Sequence, residues 1–274
     1  MSFQLHSAAV TGRDPVHWLV VTHGILGSGT NLRTLSKKLV AARPEWGVLL
    51  VDLPGHGLSR PSPPPHTIEA AAEQVTALVR DQRQRGRQVR GLLGHSLGGK
   101  VMLLARQQLP GLRQTWVLDS SPSPSDGDEP QEVPGVLAML ESLPDRFDDR
   151  RQFVEAVEAR GFSTTLAMWL AMSLDRDPNG VRFGLDLAVM RQFFASYYQT
   201  NAWPNLLSET GGAVEMVVGT RSESLDSTDR DRLRALAEQH PHVRLHEIDS
   251  GHWVHVERPD WLAELVAKLL PSEV

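Results

Sequence analysis

Short apolar runs alternate with amphipathic helical stretches along most of the chain, and this rhythm is its tightest constraint. His17–Thr22, Trp46–Val51, Val89–Leu93 and Thr115–Leu118 read as buried strands; Asn31–Ala42, a stretch capped by Thr67 and running to Val79, and Leu97–Gln108 read as helices. Strands that are apolar on both faces and separated by helices predict a largely parallel sheet covered on both sides. After Leu118 the rhythm breaks. A polar linker, Ser120–Pro134, leads into helical patterns at Val136–Leu143, Arg150–Ala159, Thr164–Ser173 and Leu187–Tyr198, with a turn at Asp177–Gly180 and no buried strand among them. Strands at Ala213–Val218 and Val243–Ile248, with helices at Asp229–Gln239 and Pro259–Leu270, resume it. The expected organisation is one α/β core, residues 1–122 and 208–274, interrupted by a helical cap over 123–207.

Composition narrows the function. With 274 residues, 41% of them hydrophobic, the chain is long enough for a sizeable core. A formal net charge of -5 gives no basic footprint for nucleic acid. The absence of cysteine removes disulfides, thiolate catalysis and Cys-based metal sites. The N-terminal residues lack the charged and apolar regions of a signal peptide, and no apolar run is long enough to span a bilayer, so a cytoplasmic location is expected.

The sharpest motif is Gly94-His95-Ser96-Leu97-Gly98-Gly99, a G-x-S-x-G pattern between an apolar strand and a helix. Such a turn strains the serine backbone, demands small neighbours, and lifts the hydroxyl above the sheet at a helix N-terminus. Ser96 is therefore the candidate nucleophile. A serine needs a base, and His252, between the last strand and the last helix, occupies the place where chain order puts it. His255 is expected to pack or cap the closing helix. The loop His23-Gly24-Ile25-Leu26-Gly27 follows the first buried strand, and the backbone N–H groups of Ile25 and Leu97 are the candidate oxyanion donors, with His23 bracing the loop. The acid stays open between Asp119, at the end of the strand after the elbow helix, and Glu223 or Asp226, beyond the turn Gly219-Thr220-Arg221-Ser222. Asp52-Leu-Pro-Gly-His-Gly-Leu-Ser59 reads as a structural loop, and His240, His242 and His246 as solvent-exposed residues rather than metal ligands. No cofactor or metal is implied.

The chain resembles the α/β-hydrolases called abhydrolases, and within them the small bacterial carboxylesterases related to mitochondrial abhydrolase domain-containing protein eleven. The resemblance runs nearly end to end and is carried by His23–Ser28, Asp52–Ser59, Gly94–Lys100, Leu118-Asp-Ser-Ser-Pro122 and Gly251-His-Trp-Val-His255. Its narrower marks are the Gly99-Lys100 ending of the elbow, Asp119-Ser-Ser-Pro122 and His252-Trp-Val-His255. It implies an acid at Asp119, with Ser222 as a helper, and hydrolysis through an acyl-enzyme. The cap carries Phe162, Met168, Trp169, Met172, Phe193, Phe194, Tyr197, Tyr198 and Trp203, and of these Trp169, Met172 and Tyr197 are expected to line a pocket for a small to medium apolar acyl group. The expected partner is a small-molecule ester. Thioester, amide or carbon–carbon hydrolysis at the same triad, or a non-catalytic binding role on the same fold, are the alternatives.

Overall fold

The computed structural model describes residues 3–125 and 132–272. The middle of the Ser120–Pro134 linker thus lies outside the described residues. The core elements are β1 (Ser7–Val10), β2 (His17–Thr22), α1 (Arg33–Ala42), β3 (Trp46–Val51), α2 (Ile68–Gln84), β4 (Gln88–His95), α3 (Leu97–Arg106) and β5 (Gln114–Leu118). The chain then passes through α4 (Glu132–Glu141), α5 (Arg150–Glu158), α6 (Thr164–Leu170), β6 (Leu174–Asp177), β7 (Gly180–Phe183), α7 (Leu187–Gln199) and α8 (Trp203–Leu207). It returns with β8 (Ala213–Gly219), α9 (Ser227–Gln239), β9 (Val243–Ile248), α10 (Val254–Glu257) and α11 (Pro259–Leu269).

The main sheet has the order β1-β3-β2-β4-β5-β8-β9. All its pairs are parallel except β1 against β3, which is antiparallel. Alternation along the strands divides the core between its two faces. Val20 and Leu92 pack with Ala71, Val75 and Val79 of α2 and Val101 and Met102 of α3. Leu19 and Val21 pack with Leu35 and Leu39 of α1 and Leu262 and Val266 of α11. From β2 the strand order runs to β3 on one side and to β4 on the other. The reversal opens a crevice beyond the carboxyl ends of β2 and β4, the usual place for a ligand in an open α/β sheet.

Two elements differ from the sequence expectation. The turn at Asp177–Gly180 joins a real antiparallel pair, β6 and β7. Asp177 accepts the Asn179 N–H at 2.8 Å, Gly180 takes φ +119°, and Phe147 exchanges backbone hydrogen bonds with Val181. Leu-Asp-Arg-Asp and Gly-Val-Arg-Phe are short and half polar, so no apolar run announces them. His246 is not a free surface ring. Its Nε2 donates to Glu215 at 2.8 Å and it stacks over Trp116, because the fully buried Glu215 carboxylate on the neighbouring strand needs donors, which His246, Arg244 and Gln114 supply.

Candidate active site

The elbow is built by close backbone approach. A Cβ on Gly94 would fall 2.2 Å from the Gly98 carbonyl oxygen, and one on Gly98 would fall 2.5 Å from that of His23. Any side chain at these two positions would force β4, α3 and the loop after β2 apart. Between them Ser96 is held at φ 52°, ψ -121°, a region that a non-glycine residue occupies only under constraint. It is anchored there by its N–H, which donates to Leu118 O at 2.9 Å on the adjacent strand. The next residue, Leu97, opens α3. Its N–H and that of Ile25 have no acceptor among the described residues. Ile25, Ser96 and Leu97 border one cavity, so two free donors flank the candidate nucleophile.

His23 braces the loop Gly24–Gly27. Its Nδ1 donates to Gly24 O at 2.7 Å while Nε2 accepts the Leu53 N–H at 3.1 Å, which requires the neutral ring. Burial pulls its pKa down to about 4. The Asp52 loop is held in the same way, its carboxylate accepting Gly29 N–H at 2.7 Å and Leu58 N–H at 2.8 Å. His56 in that loop is drawn to about 3, first by burial and then by the neighbouring His23.

His252 sits in the β9–α10 loop, its Nδ1 2.7 Å from Asp119 Oδ2. Asp119 is fully buried at φ 49° just beyond β5, a left-handed conformation that aspartate tolerates better than most residues. Its other oxygen accepts the Gly219 N–H at 2.9 Å, and Ser222 Oγ donates to Oδ2 at 2.5 Å. The Gly219 N–H, the Ser222 hydroxyl and the His252 ring thus all meet on this one buried carboxyl group. Glu223 lines the cavity without contacting the ring. Asp226 caps α9, accepting the Asp229 N–H at 2.7 Å. Of the three carboxylates considered from sequence, Asp119 is therefore the one paired with His252.

Two supporting groups carried no sequence signal of their own. Ser224 Oγ lies 2.7 Å from His252 Nδ1, beside the carboxylate. His95 donates from Nε2 to the His252 carbonyl at 2.9 Å and so ties the residue before the nucleophile to the backbone of the histidine. Under it packs the buried His255, ring centroids 4.5 Å apart. Burial and the adjacent histidines push His95 well below the ordinary imidazole value, and burial with His252 pushes His255 to about 3.

Two cavities meet at Ser96 and His252. The larger, about 250 Å³, is bordered by Phe194, Tyr197 and Tyr198 of α7 and by the polar segment Arg221–Ser224. The smaller, about 70 Å³, is apolar and bordered by Leu26, Val136, Leu166, Trp169 and Trp253, with the Trp169 and Trp253 rings edge to face at 4.4 Å. Trp169 and Tyr197 thus border the cavities at Ser96. Met172 does not. It lies 46% exposed on the turn after α6 and lines a separate depression with Asp52, Arg60 and Asp175, its sulfur 3.3 Å from Asn31 Nδ2. Met172 belongs to the 3-10 turn Ala171–Ser173 that ends α6. Phe193 and Trp203, also aromatic residues of the insertion, are core. Among the described residues no group of three His, Cys, Asp or Glu side chains is arranged to hold a metal ion.

Residues 19–265 match the Alpha/beta hydrolase family, nearly the whole of this architecture. The chain belongs to that family. This α/β-hydrolase is 25% identical to Esterase YbfF of Escherichia coli, with 92% of each chain covered. It is 26% identical to the sn-1-specific diacylglycerol lipase ABHD11 of Mus musculus, over 92% of this chain and 80% of the relative. Among solved structures it resembles a marine microorganism esterase with a TM-score of 0.81 at 20% identity, covering 98% of this chain and all of the other. At that identity the likeness speaks for the hydrolase fold alone.

Proposed function

We propose that this α/β-hydrolase is a cytoplasmic serine carboxylesterase acting on small-molecule esters through an acyl-enzyme. The observation that carries the reading is the Asp119–His252 pair at 2.7 Å, whose imidazole borders the same cavity as a serine held at positive φ. In this mechanism Ser96 Oγ attacks the ester carbonyl while His252 Nε2 takes its proton. Asp119 fixes the tautomer with Nδ1–H and stabilises the imidazolium. The N–H groups of Ile25 and Leu97 receive the oxyanion. His252 then protonates the departing alcohol, and water attacks the acyl-enzyme by the same steps in reverse. The names of the esterase and lipase relatives agree with this chemistry.

The two cavities suggest how the substrate divides. The water of the second step must arrive where the alcohol has left, so the wider, more polar cavity beside Ser224 suits the alcohol. The acyl group stays bound through both steps and suits the small apolar one, which favours small to medium acyl chains. Residues 123–207 then act as a helical cap that closes both cavities from above.

The test combines a fluorophosphonate label with p-nitrophenyl esters of graded acyl length. Label on Ser96, and Ser96→Ala turnover lowered by on the order of 10⁴, support the assignment. A purified, folded Ser96→Ala protein within tenfold of wild type would sink it.

A further inference from the structure

Lys100 closes the Gly94–Lys100 motif and takes no part in the proposed chemistry. It lies one helical turn beyond Ser96 on α3 and is completely buried. Its Nζ donates to three carbonyl oxygens, Ser123 at 2.8 Å, Tyr197 at 2.7 Å and Thr200 at 3.1 Å. Those are all the donors an ammonium has, so none is left for a substrate. Burial draws the group down to about 7, against the opposing charges of Asp229 and Glu69. A triad of carbonyl acceptors nonetheless fits the protonated form, since a neutral amine would leave one oxygen facing a lone pair.

The identity of the three carbonyls is informative. Tyr197 and Thr200 lie in and just past the last turn of α7, where helix carbonyls lack an intrahelical partner and the helix dipole favours a cation. Ser123 belongs to the segment that follows Asp119. The same ammonium lies 4.0 Å from the centre of the Tyr197 ring. That ring borders the cavity over Ser96, and its hydroxyl is 3.2 Å from both Ser120 Oγ and the Ser121 N–H. The segment is also gripped from the other side by Asp229, which accepts from the hydroxyls of Ser121 and Ser123.

We propose that Lys100 is a positioning residue for substrate specificity: it ends α7 with a buried cation, joins that end to the Asp119 segment, and thereby sets where the Tyr197 ring stands in the pocket. Its enzymatic readout rests on the esterase reading above; its structural readout does not. The chain has two tyrosines, Tyr197 and Tyr198, so 3-fluorotyrosine labelling gives two ¹⁹F resonances, assigned with Tyr198→Phe. In Lys100→Met the Tyr197 resonance should broaden or split as the ring samples several positions. Lys100→Gln, which keeps two donors and guards against a variant that fails to fold, should show a smaller change of the same kind. Per labelled active site, Lys100→Met should raise KM for bulky esters at least tenfold, with kcat and small-phosphonate labelling within threefold. A sharp, unshifted Tyr197 signal in the folded variants, or an unchanged KM in an active enzyme, overturns the proposal and leaves Lys100 as an anchor of the fold only. If wild type neither turns over esters nor labels at Ser96, the serine reading fails, and the ¹⁹F spectra still decide the role of Lys100.

Discussion

Lowering the pH from 7 to 5 should cost this fold much of its stability, because several imidazoles beneath the elbow and the loop after β2 are buried as neutral rings. His23 is drawn to about 4, and His56 and His255 to about 3. Each would titrate near 6.5 in the unfolded chain. A folded pKa below the unfolded one means that the unfolded state binds more protons, so stability is fully present above about 6.5 and drains away as pH falls toward 3 to 4. At about 1.4 kcal/mol per unit, the 1.5 units between 6.5 and 5 cost on the order of 2 kcal/mol per ring. His23, His56 and His255 together therefore cost roughly 6 kcal/mol, comparable to the 5–15 kcal/mol by which a domain is stable at all. His95 shifts in the same direction and adds to the loss. Urea titrations followed by tryptophan fluorescence at pH 7 and pH 5 read this difference. His56→Asn places a side-chain N–H near the Pro54 carbonyl that His56 now holds at 2.9 Å, and should shrink the pH-dependent loss by about 2 kcal/mol. Stabilities at the two pH values agreeing within about 1 kcal/mol would refute the argument.

Asp119→Asn should lower kcat by about 10⁴, whereas Glu223→Gln and Asp226→Asn should stay within roughly tenfold of wild type; steady-state kinetics on a p-nitrophenyl ester separates them. Trp169→Ala enlarges the small apolar cavity and should move the preferred acyl chain to greater length while labelling by a small phosphonate stays near wild type, and parallel losses in both assays would show that the ring only supports the fold.

Legibility followed burial. β2 and β3 begin and end where their apolar runs do, because strands pairing on both sides leave few positions for polar residues. The edge strand β1, Ser7–Val10, is short and half exposed, and gives no comparable run. The elbow was readable because Gly94 and Gly98 leave no room for a Cβ, so geometry dictates the residue. The acid was not readable from residues alone. Aspartates at 119 and 226 end a strand and begin a helix, both ordinary places for a carboxylate, and only the fold reveals which one meets His252. The resemblance implied Asp119, and the structure brings that residue to the ring. Met172 was placed by helical spacing alone, and the structure seats it after the end of α6 at a separate depression beside Asp52, which spacing does not foretell.

Asp119 stands one residue before the segment that Lys100, Tyr197 and Asp229 grip together. The proposed acid and the root of the proposed cap are consequently a single piece of chain, so such a cap is not a portable module. Recombining this core with a foreign cap at Ser120 would sever the grip and set the strained Asp119 backbone adrift. A junction after Ser123 would keep the aspartate seated, provided the incoming chain also ends a helix with two carbonyls facing Lys100. Chimeras made at the two junctions would differ in the turnover of the smallest esters, for which the cap's own side chains matter least.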